Sequence, residues 1–363
     1  MTDPRSLDDW AAAFRGRRVL VTGDTGFKGS WLALWLSELG AEVTGFALPP
    51  EAPGSHFERL GLAGRIAHRD GDLRDLSAVR AAVAAAQPHF IFHLAAQALV
   101  RRSYADPKET FDTNVGGGVN LLEAVREGAG DDLRALVFIT SDKAYRNREW
   151  TWGYRENDEL GGRDPYSASK AAAELVFRSY AESFLAGRPG FGLATTRAGN
   201  VIGGGDWAED RIVPDCMRAL TAGRPIVLRN PEATRPWQHV LEPLSGYLRL
   251  AVALERDPAA FGGAWNFGPD AGNTCTVGTL AQGIVDAWGS GRVEVDRPAN
   301  APHEFTLLHL NTDRATLELG WRPRWNLART IAASADWYNR VTGGEPALDV
   351  SRAQIAAHME AKP

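Results

Sequence analysis

The chain has 363 residues, 44% of them hydrophobic and 23% charged, with a formal net charge of −5. That length suits about two domains with a large core, and the composition is ordinary for a soluble globular protein. The acidic balance, with no basic run and no zinc-ligand spacing, argues against a nucleic-acid binder.

In chain order, Met1 to Trp10 is polar and acidic and predicts no signal peptide. Arg18–Thr22 is apolar and bounded, as a buried parallel strand should be. Glycines 23, 26 and 29 follow, with Thr25, Phe27 and Lys28 between them. Trp31 to Leu39 repeats apolar residues at helical spacing, and Gly40 ends the helix. Ala41–Leu48 reads as the second strand. A strand-helix-strand unit with glycines at its first turn suits a pyrophosphate, because small residues let the backbone approach and the helix N-terminus attracts the charge. The acid that should end the second strand and bind an adenosine ribose is missing near Ala47-Leu48-Pro49. Nothing basic follows to receive a 2′-phosphate, so NAD is favoured over NADP. Asp72, beside Leu73, is either a contact for the adenine end or a solvated turn residue.

Gln87–Ala96 is expected to be the fourth strand, leaving through the small residues Ala95 and Ala96, which join the cofactor-binding candidates. Asn114 to Glu127 is helical, Leu133–Thr140 is the next strand, Ser169 to Phe184 a long helix and Gly192–Arg197 another strand. Such alternation predicts an α/β fold, a Rossmann-type doubly wound parallel sheet. After residue 200 glycine, proline and tryptophan rise, which marks a smaller C-terminal substrate lobe. The expected division is 1–198 plus about 239–268 for the cofactor domain, and 199–238 plus about 269–342 for the lobe. The tail from 343 to 363 is polar and helical in character, and is expected to be partly disordered or an oligomer contact. Cys216 and Cys275 form no metal motif and read as reduced thiols of a cytoplasmic protein. No apolar run approaches the ~20 residues a bilayer span needs.

Tyr166 and Lys170 lie four apart, so a helix places both on one face. A nearby ammonium lowers a phenol pKa and tunes it to take a hydroxyl proton. Tyr104 and Lys108 repeat the spacing, but Pro107 between them opposes a continuous helix. Tyr166 also opens its helix soon after the strand ending at Thr140, and open α/β sheets bind ligands at strand carboxyl ends. Ser141, Asp142 and Lys143 sit at that strand end. They offer a hydroxyl, a carboxyl and an amine in succession.

These motifs resemble the extended short-chain dehydrogenase/reductases, and within them the CDP-glucose 4,6-dehydratases. The likeness runs from about residue 14 to 340. It rests on the glycine turn through Trp31, His93-Leu-Ala-Ala-Gln97, Thr140–Lys143, Asn147–Asn157 with its two tryptophans, and Tyr166–Lys170. Arg197–Trp207, Arg235–Pro243 and Leu319–Pro323 extend it. The resemblance implies loss of water from CDP-glucose, giving CDP-4-keto-6-deoxyglucose. NAD takes hydride from C4, holds it during elimination across C5 and C6, and returns it to C6. Tyr166 is then the C4-oxidation base, Lys170 its pKa partner and a nicotinamide-ribose ligand, Ser141 a partner of the 4-hydroxyl, and Asp142 the acid for the 6-hydroxyl. Lys143 stands where related dehydratases carry a glutamate base. It either removes the C5 proton, which requires a neutral amine, or stabilises the enolate. Arg235 and Arg211 are candidates for the diphosphate and Asn200 for the sugar-phosphate portion. Arg229, Asn230 and Glu304 are candidates for the nucleoside, or hold the small lobe together. Lys28 is a candidate phosphate contact, and Trp150, Trp152 and Trp207 wall the pocket or pack its lids.

A nucleotide-sugar 4-epimerase would share Tyr166, Lys170 and NAD but would not need Asp142 and Lys143. A catalytically silent dinucleotide-binding protein would need none of the set. The helices at 115–127 and 169–184 are candidates for a helix-bundle homodimer.

Overall fold

The computed structural model describes residues 10–51, 53–185, 187–296 and 307–362. Its main sheet has seven strands, all paired in parallel: β1 (Arg18–Thr22), β2 (Glu42–Ala47), β3 (Ala67–Asp70), β4 (Phe90–His93), β5 (Ala135–Ile139), β6 (Gly192–Ala198) and β7 (Gly263–Phe267). Their order across the sheet is β7-β6-β5-β4-β1-β2-β3. The order reverses between β1 and β4, which opens a crevice beyond their carboxyl ends. Among the described residues no helix is long and apolar enough to cross a membrane.

Alternation along the strands builds two cores. Val19, Val21, Phe90, Phe92, Val137 and Ile139 point to one face. Leu20, Ile91, Leu136 and Phe138 point to the other. The first face is covered by α1 (Phe27–Glu38) and, from the later chain, α5 (Leu241–Arg256). The second is covered by α2 (Leu76–Ala86), α3 (Gly117–Gly128) and α4 (Pro165–Tyr180). Helix α1 is apolar on nearly every side, and Trp31 and Trp35 are fully buried. A helix patterned in this way is a core element rather than a surface one.

Two helices differ from expectation at their ends. The expected helix from Ser169 starts earlier, at Pro165, because Asp164 accepts a bond from Ser167 N at 2.9 Å and proline suits the first turn. It ends at Tyr180 and runs on as a π-turn over Ala181–Leu185. The helix expected from Asn114 opens as a π-turn over Asp112–Gly116. The decoy pair Tyr104/Lys108 is split between two short helices, Val100–Ala105 and Pro107–Phe111, with Asp106 capping the second.

Beyond residue 200 the strands are short: Val201–Ile202 pairs with Gln238–His239, Ile226–Leu228 with Val293–Val295, and Thr234–Pro236 with Thr274–Thr276. Helices α6 (Val277–Trp288) and α7 (Leu327–Thr342) pack against this part. The tail is helical, as expected, but over Ala347–Glu360 it is ordered and packed rather than partly disordered. Ala347–Glu360 forms α8, with Val350, Ser351, Ile355 and His358 buried against the chain's own core. His358 lies 3.2 Å from Glu242 and edge-on to Trp35, and Ser351 accepts a bond from Trp337 Nε1 at 2.9 Å. Its polar residues read as a solvated tail because their buried partners lie far away in sequence. Cys216 and Cys275 are both free thiols.

Candidate active site

The glycine turn sits at the crevice. Gly23 has φ +80°, and a Cβ there would fall 2.6 Å from Ala95 N at the end of β4. A Cβ on Gly29 would fall 2.0 Å from Gly23 O. Glycine is therefore needed at 23 for the left-handed turn and at 29 for the approach of the helix. Gly26 N-caps α1 with no side-chain hydrogen bond, so the leading amides face outward for an anion. Thr25 Oγ1 donates to Leu48 O at 2.9 Å, tying the turn to the end of β2. These residues fit a dinucleotide pyrophosphate.

The adenosine side is built differently from the usual pattern. Leu48 is exposed and lies between Ala47 and Pro49, with no acid at the end of β2 itself. Both Asp72 carboxylate oxygens bond the Arg74 guanidinium, which holds that carboxyl below its ordinary range. Leu73 is buried, and its carbonyl accepts from Asn120 Nδ2 at 2.7 Å. A buried acid lies one residue past the first glycine instead. Asp24 is paired with His68 Nδ1 at 2.7 Å, and burial raises its pKa. Gly45 on β2 makes room for it, since a Cβ there would lie 2.0 Å from Asp24 Oδ2.

The end of β5 and the start of α4 meet opposite this turn. Ser141 and Asp142 are buried, and Lys143 is half-buried. Ser141 Oγ donates to Asp142 Oδ1 at 3.0 Å and accepts from Lys143 N at 3.2 Å. The Asp142 carboxyl packs on Gly199, where a Cβ would come within 2.2 Å of Oδ2. Burial raises the Asp142 pKa, against the opposing pull of Lys143, Ser141 and Lys28. Tyr166 is 8% exposed, in the first turn of α4, with its backbone N–H on Ser103 Oγ at 3.2 Å. Ser141 lies near enough to the Tyr166 hydroxyl to act against the burial-driven rise of the phenol pKa. Lys143 Nζ lies 5.9 Å from the Tyr166 ring centroid.

Lys170 is buried one turn along the same helix, and burial brings its pKa down to about 8 while Glu174 opposes the fall. The Tyr166 phenol is raised, mainly by burial, with Ser141 and the Arg211 charge acting against it and Asp142 adding to the rise. The lowering expected from Lys170 does not appear: the cation acting against the rise is Arg211, and burial outweighs it. Lys28 is also brought to about 8, by burial first, with Arg211 and Lys170 lowering it and Asp142 raising it. Lys28 thus lies within electrostatic range of Asp142, Lys170 and Arg211. Arg211 bonds Asp206 at 3.0 Å, and that carboxylate raises its pKa.

The other candidates are more dispersed. Asn200 is half-buried, and its carbonyl accepts from Gln238 N at 3.2 Å. Arg235 is half-buried on the strand Thr234–Pro236, with Nη1 donating to Thr234 O at 2.7 Å. Arg229 and Asn230 are exposed, and Arg229 lies 3.9 Å from Asp210. Glu304 lies outside the described residues. Trp150 stacks on Tyr154, which stacks on Tyr145, while Trp152 is exposed. Trp207 meets Tyr338 edge-on. A cavity of about 680 Å³ lies apart from the cluster, between α6 and α7, lined by residues such as Gly278, Gln282, Leu327 and Ile331.

Sequence reasoning missed three buried groups around the cluster. His93 shares a 2.7 Å bond with Thr22 Oγ1 and is driven down to about 3 by burial and the Lys170 charge. Asn114, in the π-turn, donates to Gln97 O at 3.0 Å and to Ser169 Oγ at 2.8 Å, beside Lys170. Glu174 and Arg197 form a buried ion pair at 2.9 Å. The available signal was a polar residue inside an otherwise apolar strand or helix face.

A family model described as GDP-mannose 4,6 dehydratase matches residues 20–333. The CDP-glucose 4,6-dehydratase of Salmonella typhimurium is 46% identical over 352 residues, covering 96% of this chain and 98% of that protein. The structure of a double mutant of DesIV, a dTDP-glucose 4,6-dehydratase from Streptomyces venezuelae solved with NAD bound, aligns with TM-score 0.75 at 25% identity, covering 91% of this chain and 99% of that one. A Thermus thermophilus UDP-glucose 4-epimerase in complex with NAD aligns with TM-score 0.74 at 27% identity, covering 88% and 98%. Matched by the family model through the sheet and most of the later chain, and by a dehydratase along nearly its whole length, the chain belongs to the GDP-mannose 4,6-dehydratase family of extended short-chain dehydrogenase/reductases.

Proposed function

We propose that the chain dehydrates CDP-glucose to CDP-4-keto-6-deoxyglucose with NAD as a tightly held, recycled cofactor. The observation that carries this reading is the buried Asp142 carboxyl, raised in pKa and set beside Ser141, Lys143 and Tyr166. An epimerase has no use for a proton donor at that place. The choice of CDP-glucose rests on the 46% identical relative.

The glycine turn and the N-terminus of α1 hold the NAD pyrophosphate, with Ala95 and Ala96 along its path and Asp72 and Leu73 on the adenine side. When bound, NAD supplies the redox chemistry by accepting hydride from C4 and returning it to C6, and its oxidised ring brings a positive charge. Tyr166 takes the proton of the 4-hydroxyl, and Ser141 holds the same oxygen. The Lys170 ammonium stabilises the phenolate that Tyr166 becomes. The resulting C4 ketone acidifies the C5 hydrogen. Lys143 removes that proton or stabilises the enolate it leaves. Asp142 gives its proton to the 6-hydroxyl, which departs as water and leaves a C5–C6 double bond; C5 takes back a proton as C6 regains the hydride. Arg211 and Arg235 hold the substrate diphosphate, Asn200 the sugar-phosphate portion, and Arg229 and Asn230 the base. Residues 199–238 and about 269–342 form the substrate lobe, and the remainder through about 268 the cofactor domain.

The protein is a cytoplasmic homodimer in this reading. Two free cysteines suit a reducing compartment. Leu175 on α4 is 48% exposed and Phe184 on its π-turn extension 59%, an apolar surface that a second copy would cover.

The test is incubation with CDP-, UDP-, dTDP- and GDP-glucose, followed by mass analysis. Loss of one water, fastest from CDP-glucose, is expected. A C4-inverted sugar of unchanged mass would overturn the dehydratase reading.

A further inference from the structure

The buried pair Glu174–Arg197 stands directly behind the site, and its bonds are unusually placed. Glu174 lies on α4 one turn beyond Lys170 and is 4% exposed. Its Oε1 accepts from Thr140 Oγ1 at 2.5 Å and from Arg197 Nε at 2.9 Å. Its Oε2 accepts from Thr195 Oγ1 at 2.8 Å and from Arg197 Nη2 at 2.9 Å. The guanidinium thus grips the carboxylate as a two-pronged fork. Arg197 Nη1, the remaining prong, donates to the Tyr145 hydroxyl at 2.7 Å and to Glu156 O at 2.9 Å. Its Cζ also lies 4.7 Å from the Tyr145 ring centroid. The Tyr145 hydroxyl in turn donates to Asn266 Oδ1 at 2.8 Å.

Thr140 is the residue before Ser141, and Tyr145 comes two residues after Lys143. One ion pair therefore fastens the segment Ser141–Lys143 on both sides. The carboxylate holds its upstream end and the guanidinium its downstream end. The carboxylate is itself part of the helix that carries Tyr166 and Lys170. We propose that Glu174 and Arg197 are positioning residues, a clamp that fixes the Ser141–Lys143 segment against the Tyr166–Lys170 helix in the geometry the reaction needs.

A buried ion pair is a poor source of net stability, since desolvation offsets most of its attraction. What it supplies here is direction, with four donors fixing one carboxylate. Burial alone would raise the Glu174 pKa, but the Arg197, Thr140 and Thr195 bonds hold it below its ordinary range, so it remains charged. The charge also reaches Lys170. The charged and titratable groups acting there are Glu174 from the same helix, Lys28 from α1 and His93 from β4. His93, brought down to about 3, is neutral, and Lys28 opposes the Lys170 proton. Glu174 is therefore the counter-charge that retains it.

This inference rests on the dehydratase reading for its kinetic arm only. Thr140→Val and Tyr145→Phe each cut one side of the clamp without removing a charge. Each should lower kcat by about tenfold, within the range known for small misplacements of reacting groups. KM for CDP-glucose should change less than the turnover, and Thr140→Ser should restore most of the rate. Amide hydrogen exchange should quicken in the peptide holding 141–145 while the sheet keeps its protection. Glu174→Gln should move the alkaline limb of kcat to lower pH, because Lys170 then loses its proton sooner. The neutral Thr140→Val should leave that limb in place. If Glu174→Gln does not fold, the two neutral variants decide. Parental kcat, or exchange that rises everywhere alike, in both Thr140→Val and Tyr145→Phe overturns the clamp. An inactive parent with a locally loosened 141–145 peptide in the variants would refute the proposed function and leave the clamp standing.

Discussion

Tyr166 and Asp142 are assigned two different proton transfers, and substitution separates them. Tyr166→Phe keeps most of the packing and removes the acceptor for the 4-hydroxyl proton. Loss of a general base costs about 10²–10⁴ in rate, so kcat should fall by that much with KM little changed. Near-parental turnover would show that the Tyr-Lys pair is misassigned. Asp142→Asn keeps its shape but has no proton for the 6-hydroxyl. Quenching with borodeuteride should then trap a 4-keto hexose that still holds its 6-oxygen, with little 6-deoxy product. Product formation at the parental rate would remove Asp142 from the role. Lys170 sets a pH dependence whose sign is fixed. Its pKa is lowered to about 8, mainly by burial. It carries its charge below that value and loses it above, so kcat should fall as pH rises through about 8. A profile flat across that range would show that the ammonium is not required. Lys170→Arg, charged at any working pH, should lack this limb even if slower. The clustering of these side chains was legible because they lie at short local spacings. Asp24, His93, Glu174 and Arg197 were not, because each meets its partner across the sheet. Asp24 and His68 lie 44 residues apart with no motif linking them, yet they pair at 2.7 Å.

Strand and helix existence was largely readable at the level of elements, and the reason is periodicity. In β5 the alternation of Ala135, Val137 and Ile139 against Leu136 and Phe138 maps onto the two faces. Helix boundaries were less readable. Asp164 and Pro165 start α4 before its apolar pattern begins, and the π-turns at both helix ends have no periodic signature. Helix α8 was missed as a packed element. It presents a mixed surface whose buried members contact residues as distant as Trp35 and Glu242. Deleting residues 347–363 should therefore do more than trim a tail. Loss of buried Val350 and Ile355 alone should cost at least about 3 kcal/mol, and Trp35 and Trp337 lose partners as well. The thermal midpoint should drop and tryptophan emission should shift to the red. An unchanged midpoint would mean that α8 contributes no stability.

For the whole molecule, strand-helix alternation indicated a doubly wound sheet, and the seven-stranded parallel order with one reversal follows it. The glycine turn lies at that reversal because β1 and β4 are neighbours there. The stretch 239–268, expected to rejoin the cofactor domain, supplies α5 and β7. β7 joins the far edge beside β6, whereas the crossing of α8 back to α1 is not specified by alternation. Assembly of copies is tested at this scale too. Leu175→Glu places a charge in the exposed apolar surface of α4 and should turn a dimer into a monomer by light scattering. A monomeric parent at micromolar concentration would dismiss the homodimer.

Helix α8 also bears on the order in which the protein is made. The helix that follows the cofactor turn leaves the ribosome long before α8, which closes over it. Arg352 bonds Glu38 at the end of α1 at 2.8 Å, and His358 lies against Trp35 in its middle. A nascent chain stalled before residue 347 has the cofactor turn but lacks the wall behind its helix. N-terminal parts of large proteins usually fold as they emerge. Here that early half lacks part of its packing until α8 has emerged, so dinucleotide loading should await that helix. Stalled complexes should show α1 open to protease where the released protein is resistant.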